Sequence, residues 1–305
     1  GCYPPNKISS FDWYKKFKEK IDYQINKKEF FPLFRLSDGE FIFILGRKFK
    51  QYSFPNNIYY FLNHIKRTLY YRSTFYSSGR KGYCETYAYF KLKKLRVTFI
   101  KQLKNISLKG VLCPNFSPHI LTKPYQEDFT NFLRRNNIEL NEKNYFQFYF
   151  VPGYFMGQEI DTVYRDKRIL IFTSDMKLRN ENLKKNLINF GAKKVDFYKT
   201  SLNTPLLDKI ELNKVEDQPD MVLIGAGVGA ANILNQIEDL KCISIDSGFI
   251  VDALSDILYV GYGLCVCFGI NIDEDYSKFM IDYHRISKNS LNITENDFSN
   301  QTNFE

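Results

Sequence analysis

Between residues 168 and 246 short apolar runs alternate with helix-like stretches, and this alternation limits the fold more than any other feature of the sequence. The run at 168–173 reads as a strand, 179–190 as a helix stopped at Gly191, and 194–198 as a second strand. A short helix is expected at 205–212. Met221-Val222-Leu223-Ile224 reads as a strand that enters Gly225-Ala226-Gly227-Val228-Gly229-Ala230, with a helix running on to Leu240 and another strand at 242–246. Strands that alternate with helices pair in parallel through right-handed crossovers. The expected architecture is therefore α/β, a Rossmann-like, mostly parallel sheet with helices on both faces.

Upstream, Phe11, Trp13, Tyr14, Phe17, Ile21 and Ile25 recur at helical spacing after Ser9 or Ser10, with lysines between them. An apolar strand is expected at 30–34, helices at 57–71 and 85–103, and a basic loop at 79–82 that is either a phosphate contact or a solvated turn. The run at 110–113 reads as a strand stopped by Pro114, 124–135 as a helix, and 145–151 as an aromatic strand ending at Pro152-Gly153. From Asn271 the sequence turns polar. This divides the chain into an N-terminal helical arm (1–29), an α/β domain (30–272) and a polar tail (273–305).

With 305 residues, 44% hydrophobic and 25% charged, the chain can bury a sizeable core. The net charge of +9 favours anionic ligands or a membrane surface, and the absence of a dense basic block or a known module argues against nucleic acid. The six cysteines form no C-x-x-C pair and fit buried thiols in a reducing cytoplasm. The apolar stretch at 257–270 is broken by glycines and is too short to span a bilayer. The sequence thus reads as soluble and cytoplasmic, and the first helix either packs on the domain or lays its basic face on the inner face of the membrane.

Two stretches carry candidate chemistry. Arg35-Leu36-Ser37-Asp38-Gly39-Glu40 stands between the first strand and an apolar helix start. Its Asp-x-Glu pair suits a hard cation such as Mg²⁺ or Mn²⁺, which takes oxygen ligands and would hold a diphosphate. Ser37-x-x-Glu40 is equally a capping box, in which Glu40 reaches back to close the helix end. Neither reading removes the other at this point. The second stretch, Gly225-x-Gly227-x-x-Ala230, matches a dinucleotide fingerprint, with Asp246 about twenty residues on. Its position late in the alternation argues against NAD. What remains is either backbone N–H groups open to a diphosphate or glycines needed for close contact between strand and helix.

Arg35-x-x-Asp38-Gly39-Glu40, the strand and helix at 168–191, Val222 to Gly227 and Ile243-Ser244-Ile245-Asp246-Ser247-Gly248 together resemble the bacterial glycosyltransferases of the GT-D fold, over roughly residues 30–255. The resemblance implies that Asp38 and Glu40 bind Mn²⁺ or Mg²⁺, which holds the diphosphate of a UDP-sugar donor. Arg35 would add positive charge or anchor the loop on a carboxylate, and Asp246 is a candidate base. Gly39, Gly225, Gly227 and Arg179 are the expected donor contacts. The acceptor would be a saccharide, glycolipid or glycopeptide of a bacterial surface glycan or glycoprotein. Ser37 and Phe249 stand where the family has Gly and His. The alternatives are a transferase using another activated phosphate donor and a non-catalytic nucleotide-binding α/β module.

Overall fold

The structure is a computed structural model that describes residues 10–45, 89–115, 123–148, 150–157, 160–174 and 177–255. The expected helix at 57–71, the basic loop at 79–82, the apolar stretch at 257–270 and the tail at 273–305 lie outside these residues. The helices are α1 (Ser10–Lys27), α2 (Asp38–Leu45), α3 (Tyr89–Lys109), α4 (Lys123–Arg135), α5 (Phe150–Phe155), α6 (Ile160–Tyr164), α7 (Lys177–Asn189), α8 (Ala230–Leu234) and α9 (Phe249–Ser255). The strands are β1 (Phe31–Leu36), β2 (Val111–Pro114), β3 (Arg168–Thr173), β4 (Lys194–Lys199), β5 (Met221–Gly225) and β6 (Ile243–Asp246).

These form one six-stranded sheet in the order β2-β1-β6-β5-β3-β4, with every pair parallel. The fold is thus the Rossmann-like α/β arrangement that the alternation predicts. β1 and β6 are buried along their whole length and β5 nearly so, as expected for strands covered on both faces. The chain moves from β1 out to β2, crosses to β3 and β4 on the other side, then returns through β5 to β6, which is inserted between β1 and β5. Right-handed crossovers made in opposite directions place their helices on opposite faces. On one face Gln102 Nε2 of α3 donates to Asn232 Oδ1 of α8 (3.1 Å), and Asn105 Nδ2 to Asn235 Oδ1 (2.7 Å). On the other, Asn186 Nδ2 of α7 donates to the Leu254 carbonyl of α9 (2.8 Å).

α1 buries Trp13, Tyr14, Phe17, Ile21 and Ile25 in the common core. The Trp13 ring lies 5.1 Å from Tyr145 and 5.0 Å from Phe150, and Phe17 lies 5.2 Å from Phe146, distances typical of favourable aromatic pairs. Lys18 and Lys20 turn back over the rings of Tyr14 and Phe31.

The aromatic segment at 145–151 departs from the expected strand. Tyr145 makes one parallel bridge to Leu112, with Leu112 N–H donating to Asn144 O and Phe146 N–H to Leu112 O. The next ladder bond would need an N–H on Pro114, which has none, so the pairing stops and the chain winds into α5. The expected helix at 205–212 is replaced by two 3₁₀ turns, Pro205–Leu207 and Leu212–Lys214. The one expected to reach Leu240 ends at Leu234: the Gln236 backbone N–H turns to the Ile233 carbonyl (2.8 Å), and Gln236 Nε2 takes the Asn232 carbonyl that this N–H would bond in a continuing helix (3.1 Å). α9 was not anticipated.

Gly110, between α3 and β2, allows a close approach that no side chain fits: a Cβ there would stand 1.9 Å from the Pro32 carbonyl oxygen of β1. Gly110→Ala is expected to lower stability by about 2–3 kcal/mol, the cost of overpacking against backbone, read as a fall in the urea midpoint at unchanged slope.

Candidate functional site

β1 and β6 are neighbours whose chains leave in opposite directions, to α2 and α3 on one face and to α9 on the other. Such a switch point opens a crevice beyond the carboxyl ends of the strands, where ligands of open α/β sheets bind. Two expected site residues meet there. Arg35, near the end of β1, and Asp246, the last residue of β6, are each 4% exposed. The Arg35 backbone N–H donates to Asp246 Oδ2 (3.2 Å), and Arg35 Nε donates to the Asp246 carbonyl oxygen (2.7 Å), with Nε 3.9 Å from Oδ2. The guanidinium is therefore anchored chiefly on backbone, with the carboxylate beside it as counter-charge.

The Phe148 and Phe249 rings both face this guanidinium, with Cζ 5.0 and 5.2 Å from their centroids. Arg35 thus sits in an aromatic cage, and Phe249, at the position where the resembled family has His, forms part of it. Gly248 (φ +45°) closes the cage, since a Cβ there would stand 1.9 Å from Nη2. Nη1 of Arg35 and Oγ of Ser247 are buried without a hydrogen-bond partner among the described residues. Buried donors left unpaired are costly, and a buried cation with donor capacity to spare suits an anionic ligand.

The adjoining loop is shorter than expected, because Arg35 and Leu36 belong to β1 and Asp38 already opens α2. Ser37 is the whole link. Its backbone N–H donates to Glu40 Oε2 (3.0 Å), and its carbonyl accepts from Phe41 N–H (2.9 Å). Glu40 therefore makes its half of the capping box. A carboxylate has about four acceptor positions, so accepting one N–H is compatible with also binding a cation. Among the described residues no group of three or more His, Cys, Asp or Glu side chains is arranged to hold a metal ion. Asp38 and Glu40 supply only oxygens, the ligand type that Mg²⁺ and Mn²⁺ prefer.

Gly225 ends β5, and a Cβ there would lie 3.2 Å from Val251 Cγ2 and 3.4 Å from Thr173 Oγ1. Gly227 adopts φ +52° at the start of the 3₁₀ turn Gly227–Gly229. At Gly229 a Cβ would stand 2.4 Å from Pro205 Cβ. Close contact thus accounts for the first and third glycines and backbone conformation for the second. The turn leads into the five residues of α8, so the long helix expected to point its N-terminus at a diphosphate is absent. Arg179 lies near the end of β3, its Nη1 on Asp252 Oδ1 of α9 (2.9 Å) and its Nη2 on Thr173 Oγ1 and the Ser174 carbonyl. Thr173 pairs with Gly225 in register, which makes Arg179 the neighbour of the glycine turn.

All the expected site residues lie at the carboxyl ends of β1, β6, β5 and β3. Phe148, Ser247, Gly248 and Asp252 were missed. Phe148 was hidden in the run read as a strand, and Asp252 belongs to a helix that the sequence did not announce. Cys113, paired in register with Arg35, is fully buried, and burial pushes its thiol far above the ordinary range, with the Arg35 charge opposing this and Asp246 adding to it. Burial likewise pushes the Cys242 thiol up to about 12. Both thiols stay protonated near neutral pH and are no nucleophiles.

No protein-family model matches the sequence, and no curated protein matches it. Among solved structures, one similar chain is described as a selenomethionine-substituted domain of unknown function 1792, with 13% identity and a TM-score of 0.44 over 79% of this chain and 83% of that one. Another is described by the words "the highly conserved domain of unknown function 1792 has a distinct glycosyltransferase fold", with 14% identity and a TM-score of 0.43 over the same shares. Superposition that loose transfers no residue roles. Among the described residues no helix is long and apolar enough to cross a membrane.

Proposed function

We propose that the chain is a glycosyltransferase that takes its sugar from a nucleotide-sugar donor, a UDP-sugar first, bound in the crevice between β1 and β6. The observation that carries this reading is the caged Arg35, buried beside Asp246 with Nη1 unpartnered among the described residues and two residues ahead of the Ser37-Asp38-Gly39-Glu40 segment. A preorganised cation there stabilises charge as it develops on a leaving diphosphate, at no reorganisation cost. Asp38 and Glu40 would hold Mn²⁺ or Mg²⁺, and such an ion supplies further charge neutralisation at the diphosphate oxygens. Asp246 orients Arg35 and remains the candidate base for an acceptor hydroxyl, since a carboxylate accepting one N–H keeps further acceptor positions. The nucleotide would lie against Gly39 and the Gly225 and Gly227 turn, with Arg179 beside it. The acceptor is a saccharide, glycolipid or glycopeptide.

The test is a thermal-shift screen of nucleotide sugars with and without Mn²⁺, followed by an assay for UDP release. A UDP-sugar should raise Tm only with Mn²⁺ present, because a ligand that binds only the folded state stabilises it, and Gly227→Val should abolish that shift. Saturable binding without UDP release would indicate a binding module instead, and stabilisation by NAD would replace the proposal with a dehydrogenase.

A further inference from the structure

We propose that the outer face of α3 is a docking surface for an anionic lipid bilayer. The 21 residues of α3 contain no Asp or Glu, whereas α1, α4 and α7 each carry acidic residues among their basic ones. The inner side of α3 buries Phe99, Leu103 and Ile106 in the core. At helical spacing Lys94, Val97, Lys101, Lys104 and Leu108 fall on a single stripe on the opposite side, and all five are exposed. This stripe is about 21 Å long at 1.5 Å per residue. Val97 is 52% and Leu108 76% exposed, large values for apolar side chains, and no ion pair with an acidic group is formed by the three stripe lysines among the described residues. Lys109, off the stripe, holds Glu238.

Lysines spaced around two solvent-facing apolar residues match the chemistry of an acidic headgroup layer. Compact ammonium groups respond to the diffuse negative potential, and the apolar side chains leave water at the boundary between headgroups and acyl chains. A nucleic-acid backbone would use the charges but give Val97 and Leu108 nothing to bury against, so the bilayer is favoured. On α1, where sequence reading places the membrane contact, Asp12, Glu19 and Asp22 are exposed beside Lys15 and Lys16, and Lys18 and Lys20 lie over rings. α3 runs antiparallel to the strands it connects, so Lys94 is at the end of the stripe nearer the crevice between β1 and β6.

The test is cosedimentation of the full chain with phosphatidylcholine vesicles with and without phosphatidylserine. Binding should require phosphatidylserine and fall with added salt. Lys94→Gln, Lys101→Gln and Lys104→Gln combined should weaken partitioning about a hundredfold, at about fivefold per lysine. Val97→Ser with Leu108→Ser should weaken it on the same vesicles at low salt. All five positions face solvent, and circular dichroism checks that each variant is folded. Three results would overturn the proposal: no partitioning of the wild type, wild-type partitioning of the triple lysine variant, or binding to DNA or RNA without binding to vesicles.

Discussion

Replacing Glu40 with Gln, or Asp38 with Asn, is expected to reduce Mn²⁺-dependent UDP release by about 100- to 1,000-fold while leaving the melting temperature almost unchanged. The two roles of Glu40 separate in this experiment. Its cap is a bond accepted from the Ser37 backbone N–H, and a Gln side-chain oxygen accepts the same bond. A cation, in contrast, responds to the lost charge. Glu40→Ala removes both, and should add a stability loss of about 1 kcal/mol to the loss of activity. Ser37→Ala should cost less than loss of a cap usually does, because the N–H that Glu40 accepts belongs to the backbone. Wild-type UDP release by both charge-neutral variants would mean that Asp38-Gly39-Glu40 is only a helix start, and that the resemblance to GT-D glycosyltransferases stops short of mechanism.

The second large effect lies at Gly248, which should tolerate no side chain. Gly248→Ala is expected to lower stability by about 3 kcal/mol, part of it from the positive φ and the rest from displacing Arg35. A clash with the end of an arginine is ordinarily relieved by a rotamer change. Here the guanidinium is held by the Asp246 carbonyl and flanked by Phe148 and Phe249, so it cannot swing aside without breaking those contacts. Arg35→Ala alone should also cost about 3 kcal/mol, since it leaves Asp246 buried without its counter-charge. The two losses should not add: with the guanidinium gone, Gly248→Ala has nothing to strike, and a double-mutant cycle in urea should show coupling above about 1 kcal/mol. Additivity within about 0.5 kcal/mol would show that the loop moves freely and that the cage does not fix Arg35.

The inner strands of the sheet are legible because they are buried on both faces and read as largely apolar runs: 168–173 is placed without error, and 221–224 and 242–246 to within one residue. The apolar run at 145–151 looked the same and was not a strand, since whether a run joins a sheet depends on a partner with an N–H to offer, and Pro114 lies 31 or more positions away in the chain. Local sequence does not carry that information. For the same reason Arg35 and Asp246 could be named singly but their contact could not, as the bonds between them join residues 211 apart. Of the capping and metal readings of Glu40, the first is a local matter of three residues and is visible in the structure. The glycine turn is legible as a strand end, but the helix after it is shorter than its pattern suggests, because the Gln236 side chain takes the Asn232 carbonyl in place of its own backbone N–H.

The position of β6 has a consequence for how the molecule comes into being. β2-β1 on one side and β5-β3-β4 on the other are complete as half-sheets before β6 is available, yet each presents an unpaired edge at β1 and β5 until that strand slots between them. During synthesis, β1 therefore waits for more than two hundred residues before its second neighbour leaves the ribosome. Open edges of buried strands invite the wrong partner, so this interval is when the nascent chain is most exposed to misassembly. Asp246 arrives on that same strand, so closing the sheet and pairing Arg35 are a single event.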